Sequence, residues 1–274
     1  ATDAGPEWID ADKIWDGSAL ADPALATQGE GVVIGVIDTG INFDHPSFSD
    51  APEDGYIYPA RTDYLGVCAS VGGDLDFQGK CNDKLIGAYN FVIGDPNLPE
   101  DKLGHGTHVA STAAGNHVTL TTTASPSRQI PISGAAPHAQ LIAYSVCGSS
   151  KCLDSSILAA IEQAIRDEVD IINYSLGSET WQDPYTPGNT DYAFRKANEA
   201  GILVVAAAAN TTSAPTVRNV APWIFTVANT THDRVFSFDL PMHDPAYADI
   251  FSLFSSPGPS DAGFPVLKPE VAAP

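Results

Sequence analysis

Val32-Val33-Ile34-Gly35-Val36-Ile37-Asp38-Thr39-Gly40 opens as an unbroken apolar, mostly β-branched run and closes on a carboxylate and a glycine. Such a run, entered after Gly29 and Gly31, reads as a strand buried on both faces, the kind that parallel sheets contain. Runs of the same character recur at Leu141 to Val146, Val169 to Tyr174, Ile202 to Ala208 and, more briefly, Ile224 to Ala228. Helical patterns fall between them. Asp154 is placed to cap a helix in which Ile157, Ile161 and Ile165 repeat every four residues, with Glu162, Arg166 and Asp167 for its wet side. Asp191 to Ala200 reads as a second helix, stopped by Gly201. Strand and helix alternating in this rhythm predict an α/β fold, three layers αβα around a central, mostly parallel sheet. The stretches Asp50 to Asn82, His117 to Ser133 and Ser178 to Asn189, rich in Gly, Pro, Asp, Ser and Thr, read as surface loops.

The chain has 274 residues, 43% of them hydrophobic, enough for a large buried core, and this excludes a disordered chain. Lys and Arg number 13 against 34 Asp and Glu, a net charge of −21. That surface repels phosphate backbones and anionic lipid, so neither nucleic acid nor membrane is expected as a partner. No apolar run reaches the roughly 18 residues needed to span a bilayer. The chain starts at Ala1 without a basic or apolar leader, so a signal or pro-segment is expected to have been removed. Four cysteines fall as two local pairs, Cys68 with Cys81 and Cys147 with Cys152. Even number and local pairing favour disulfides in an oxidising, secreted setting, against four buried thiols.

In open α/β sheets chemistry gathers where strands end at their carboxyl side, and Asp38 and Asn210 both stand at such ends. A carboxylate there needs a donor, and an imidazole N–H is a good one. One is offered by Gly104-His105-Gly106-Thr107-His108-Val109-Ala110, where glycines let backbone approach on either side of His105, and Thr107 to Ala114 is small and apolar enough for a buried helix. His105 is the candidate general base and Asp38 the group that orients it. His108, three residues on, reads as a structural group. A zinc site would want histidines four apart with a Glu between them, which this run lacks. Val204 to Asn210 ends tiny side chains on one amide, able to donate to a developing oxyanion. Asn210-Thr211-Thr212 is also a glycosylation sequon, and a glycan there would exclude that role. Asn173 to Ser178 runs from a strand into a bend whose backbone could pair with an extended peptide.

These residues resemble the subtilisin-like serine proteases, in the secreted branch that holds plant cucumisin-like enzymes and bacterial relatives. The resemblance rests on Gly35 to Ile41, His45-Pro46-Ser47-Phe48, Cys81 to Ala88, Gly104 to Ala110, Ser175-Leu176-Gly177, Thr231-His232-Asp233-Arg234 and Leu267 to Pro274, in family order. It implies a secreted endopeptidase acting on proteins or peptides through an acyl-enzyme, with Asp38 the orienting acid, His105 the base and Asn210 the oxyanion donor. Ser175, Leu176 and Gly177 become the strand beside the substrate, and Ala207, Ala208 and Ala209 the wall of the pocket. The resemblance also implies the disulfides Cys68–Cys81 and Cys147–Cys152, no cofactor in the chemistry, a structural calcium as an option, and the protein's own pro-segment as chaperone and inhibitor. Residues 1–274 then form a peptidase domain incomplete at its carboxyl end, with the Gly-Thr-Ser-Met-Ala nucleophile motif expected beyond Pro274. The protease-associated insert of this branch is not expected between about 235 and 253. Ala209 stands where relatives carry Gly, Thr211-Thr212 replaces their Gly-Pro, and Pro257 replaces an Arg. The alternative is a peptide-binding homologue that lost its nucleophile.

Overall fold

The computed structural model describes residues 2–94, 99–123, 126–148, 151–178, 183–210, 217–231, 234–236, 241–243, 255 and 270–273. The chain divides into two compact units, residues 1–173 and 174–274.

In the first unit, the short helices α1 (Gly5–Trp8) and α2 (Ala11–Trp15) precede β1 (Val33–Asp38), β2 (Leu65–Gly66), β3 (Leu85–Asn90) and helix α3 (His105–Ala114). The hairpin β4 (Val118–Thr121) and β5 (Gln129–Ile132), then β6 (Gln140–Ser145), helix α4 (Asp154–Arg166) and β7 (Ile171–Tyr174) follow. The strands lie in the order β2-β3-β6-β1-β7, and every neighbouring pair is parallel. In β1 and β6 Val33 pairs with Gln140 and Asp38 with Ser145. Alternation along these strands sorts side chains to two faces. Ile34, Val36, Leu141 and Ala143 pack with Ala110 and Ala114 of α3, each large side chain contributing about 1.5–3 kcal/mol by leaving water. Tyr144 points the other way, and its hydroxyl donates to Asp167 at the end of α4 (2.8 Å). Gly35 lies on that side too, where a Cβ would meet the Tyr144 ring at 3.0 Å. Helices α3 and α4 therefore cover opposite faces of one parallel sheet, the three layers expected.

The second unit holds α5 (Thr190–Glu199), β8 (Leu203–Ala207), β9 (Ile224–Asn229), the short antiparallel pair β10 (Arg234–Phe236) and β11 (Pro241–His243), and β12 (Val271–Ala273). β8, β9 and β12 are again parallel neighbours, and α5 packs on β8 and β9.

The expected strands form within two residues of their predicted limits. Local details differ. Asp154 is the first helical residue of α4, not its cap; Leu153 occupies the cap with no side-chain hydrogen bond, and Asp154 faces the positive end of the helix dipole instead. Asn189 caps α5, its Oδ1 accepting from the Tyr192 N–H (2.8 Å), and Gly201 stops it at φ 91°. The stretch 117–133 carries the β4–β5 hairpin, which Pro131 and the Thr-rich β4 had disguised as loop. α3 buries only Gly106, Ala110 and Ala114, so it is a half-exposed helix and not the buried one expected. Most of 235–253, and parts of the segments 231–234 and 267–274, lie outside the described residues.

Candidate active site

Asp38 ends β1 with 1% of its surface exposed. Its Oδ1 accepts the Thr39 N–H at 2.7 Å and lies 2.7 Å from His105 Nδ1; Oδ2 is buried with no partner among the described residues. An ionised carboxylate only accepts, so Nδ1 is the donor and Nε2 is left as the basic nitrogen. The two expected residues, 67 positions apart, are thus brought together by β1 and the first turn of α3. The glycines around them act differently. A Cβ on Gly106 would overlap the Gly40 carbonyl, so its bareness lets the helix start press against the strand end. Gly104 has open space around it and is needed for its backbone, at φ 83°. Gly40, at φ 115°, has no room for a side chain against the Pro99 carbonyl.

Asp101 is a residue that sequence reasoning passed over. Its Oδ1 accepts from Thr39 Oγ1 (2.9 Å), Leu103 N (3.0 Å) and Gly104 N (2.8 Å). Its Oδ2 accepts from the N–H (2.9 Å) and hydroxyl (2.7 Å) of Thr107. Thr39 Oγ1 in turn accepts from the Gly106 N–H (2.8 Å). The signal available was an acidic residue just before a helix start, where unpaired N–H groups favour a carboxylate.

The charges explain the acid–base balance. The hydrogen bond from His105 to Asp38 raises the imidazole above its ordinary pKa; partial burial opposes this, while the charges of Asp38 and Asp101 add to it. Burial by itself would raise Asp101, but hydrogen bonds from Thr107, Gly104 and Thr39 outweigh it and hold the carboxyl below its usual range. Half of the His105 side chain is exposed (51%), against 1% for Asp38. A buried acid thus holds a base that incoming molecules can reach.

The remaining candidates lie in the second unit. Ser175 and Leu176 are half-buried and Gly177 is exposed. The segment is not itself a strand, β7 ending at Tyr174, and the Asn219 amide ties it to the end of β8: Nδ2 donates to the carbonyls of Leu176 (2.9 Å) and Ala207 (2.8 Å). Asn219 was also missed, since nothing local in the sequence marks it. A Cβ on Gly177 would come to 3.3 Å from Ala209 Cβ, so the two segments lie against each other. Ala207 and Ala209 are half-buried, whereas Ala208 belongs to an apolar cluster with Val217, Val220 and Ala228. Ala208 therefore supports this surface from behind. Ala209 holds a left-handed backbone, φ 82°, unusual for a residue with a side chain. Asn210 follows it and is exposed.

Both cysteine pairs are bonded, Cys68 with Cys81 and Cys147 with Cys152. His108 is exposed on α3, and its carbonyl accepts the hydroxyls of Ser111 and Thr112. Among the described residues no group of three or more His, Cys, Asp or Glu side chains could hold a metal ion. Among them, too, no helix is long and apolar enough to cross a membrane.

Comparison with known proteins shows the family. Residues 29–274 match the profile described as the subtilase family. The chain is 42% identical over 241 residues to subtilisin-like protease SBT2.1 of Arabidopsis thaliana, covering 81% of this chain and 28% of that protein. It is 39% identical over 244 residues to subtilisin-like protease SBT2.3 of the same plant (82% and 28%). With subtilisin-like serine-protease S of Lotus japonicus it shares 36% over 233 residues (80% and 30%). The chain spans under a third of the length of these relatives.

Proposed function

This chain belongs to the subtilase family, and from that premise we propose that it supplies the acid, the base and the substrate-binding strand of a secreted serine endopeptidase. The observation that carries the reading is the 2.7 Å contact from His105 Nδ1 to Asp38 Oδ1, which leaves Nε2 as the proton acceptor. In this reading a serine beyond Pro274 gives its proton to His105 Nε2 as its oxygen attacks the peptide carbonyl. Asp38 keeps the tautomer and stabilises the imidazolium. Asn210, with a backbone N–H, stabilises the oxyanion of the tetrahedral intermediate. His105 then returns the proton to the leaving amine, and water hydrolyses the acyl-enzyme by the reverse sequence.

Recognition is assigned to backbone. Ser175 to Gly177 pair with an extended peptide as an added strand, and Ala207 and Ala209 wall the pocket for the residue before the scissile bond, with Ala208 behind them. Side chains this small leave space for bulky apolar or aromatic groups. The two disulfides and the charge of −21 support an extracellular setting. The pro-segment is assigned as the protein's own inhibitor and folding aid. No cofactor takes part in these steps, and calcium, where present, has a structural role.

Fluorophosphonate labelling of the complete protein, followed by peptide mapping, tests the assignment. Label is expected on a serine peptide outside residues 1–274. A folded complete protein that takes no label would mean that the cleft binds without cutting.

A further inference from the structure

Asp38 and His105 come from elements that share no covalent neighbourhood, and the contact between them depends on how the start of α3 is fixed to the end of β1. One side chain stands at the centre of that join. Asp101 accepts five hydrogen bonds: three from N–H groups around the helix start (Leu103, Gly104 and Thr107), one from the Thr107 hydroxyl and one from the Thr39 hydroxyl. Thr39 is the residue next to Asp38, and its oxygen also receives the Gly106 N–H, next to His105. Thr107 extends the join, its hydroxyl accepting the Asn42 N–H at 3.0 Å. The loop that carries Asp101 is fastened independently, since Ile41 N–H donates to the Pro99 carbonyl (2.9 Å) and Asp101 N–H to the Ile41 carbonyl (3.1 Å). The carboxylate therefore sits at a fixed point and holds both flanks of the acid–base pair at once. Such bonds to a charged acceptor are stronger than neutral ones.

We propose that Asp101 is a positioning residue for the Asp38–His105 pair, locking Thr39 and the first turn of α3 so that the imidazole meets the buried carboxylate in one orientation. The role rests on the endopeptidase reading for its consequence in catalysis, though not for its geometry. Asp101 touches neither imidazole nor substrate in this scheme; it acts through Thr39, Gly104 and Thr107. Among the described residues, the charges that act on His105 are Asp38 on β1 and Asp101 on the preceding loop. Loss of the second removes part of what raises the imidazole.

Asp101→Asn in the complete protein keeps the size of the side chain but sets an amide where the Thr107 N–H needs an acceptor. Two readouts are taken on folded variant and wild type. The first is the low-field proton resonance of His105 Nδ1–H, which reports the bond to Asp38 whether or not the protein cuts peptides. Broadening or an upfield shift is expected. The second is the pH profile of peptide hydrolysis: a fall in kcat of at least tenfold with KM nearly unchanged, and an acid limb moved to lower pH. Thr39→Val, which deletes only the hydroxyl through which Asp101 reaches Gly106, is expected to reproduce the resonance change, and Thr39→Ser to restore the wild-type signal. An unchanged resonance and acid limb in folded Asp101→Asn overturns the proposal, as does an unchanged resonance in Thr39→Val if Asp101→Asn does not fold. A wild type that shows the resonance but no hydrolysis defeats the endopeptidase reading and leaves the positioning role to be judged by the resonance alone.

Discussion

The His138 ring lies flat on Tyr56, centroids 3.9 Å apart and planes 9° apart, with Glu30 Oε1 2.7 Å from one ring nitrogen and Asp54 Oδ2 2.8 Å from the other. This polar knot joins the segment before β1 to the loop before β6. Burial alone would raise Glu30, but hydrogen bonds from Thr27, His138 and nearby backbone N–H groups prevail and bring it down to about 2. A carboxylate held down in the folded state contributes stability that is complete above its unfolded pKa near 4.5 and is lost as pH falls toward 2. Glu30→Gln is expected to cost no more than about 1 kcal/mol at pH 6, since water screens this partly exposed group. The gap to wild type should be clearly smaller at pH 2.5 and close only as pH falls below about 2. Urea unfolding at both pH values checks it, and a gap that stays constant would falsify the assignment.

Lys84 has no exposed surface, and its ammonium donates to the carbonyls of Pro137 (2.6 Å) and Ala139 (2.5 Å) beneath the ring of Tyr58. Burial pushes it down to about 7, only partly opposed by the charge of Asp54. Between pH 7 and about 10 the unfolded chain therefore binds one proton more than the folded one, and stability should rise with pH by up to about 1.4 kcal/mol per unit. Above that range the phenols of buried Tyr58 and Tyr144 and of half-buried Tyr89, raised by desolvation, reverse the trend. Lys84→Met is expected to abolish the rise, measured as the change in unfolding free energy between pH 7.5 and 9.5. Equal slopes in the two proteins would refute the prediction.

Ala209 adopts φ 82°, a conformation that costs a residue with a Cβ about 1–2 kcal/mol. Glycine removes that strain and loses roughly 0.4–1 kcal/mol through its freer unfolded state. Ala209→Gly should therefore be more stable by up to about 1 kcal/mol, and Ala209→Val less stable by about 2 kcal/mol. Thermal unfolding of both variants decides the matter. A glycine variant that melts below wild type would show that the alanine carries no strain.

His105 is raised above its ordinary value by the Asp38 bond. A general base works only when neutral, so peptide hydrolysis by the complete protein should rise with a midpoint above pH 6.5. Asp38→Asn should lower kcat by about four orders of magnitude, the loss known for the triad aspartate of subtilisin. A midpoint below 6.5, or turnover unchanged in the variant, contradicts the assignment.

The parallel sheet and the Asp38–His105 pair were readable because each rests on local demands: buried strands require apolar runs, and the close approach at Gly106 requires a missing side chain. Asp101, Asn219 and Lys84 were not readable. Each works by reaching groups 43 to 62 positions away, Leu176 from Asn219, Pro137 and Ala139 from Lys84, Thr39 from Asp101. Most of those long-range partners are backbone carbonyls, which leave no trace in residue identity. The cap of α4 was not readable either: Asp154 suits either the cap or the first turn, and only the backbone places Leu153 at the cap. Ala209 was noticed as an odd residue before Asn210, but only its φ shows what the oddity costs.

Asp38, Asp101 and His105 all lie in residues 1–173, and Ser175 to Gly177 and Asn210 lie in residues 174–274. A ribosome adding roughly 5–20 residues per second needs about 5–20 s to make residues 174–274. Through that interval the nascent chain carries the residues of the acid–base pair without the segment proposed to pair with a peptide. Order of translation alone thus separates in time the synthesis of the acid–base pair from that of the segments proposed to meet substrate.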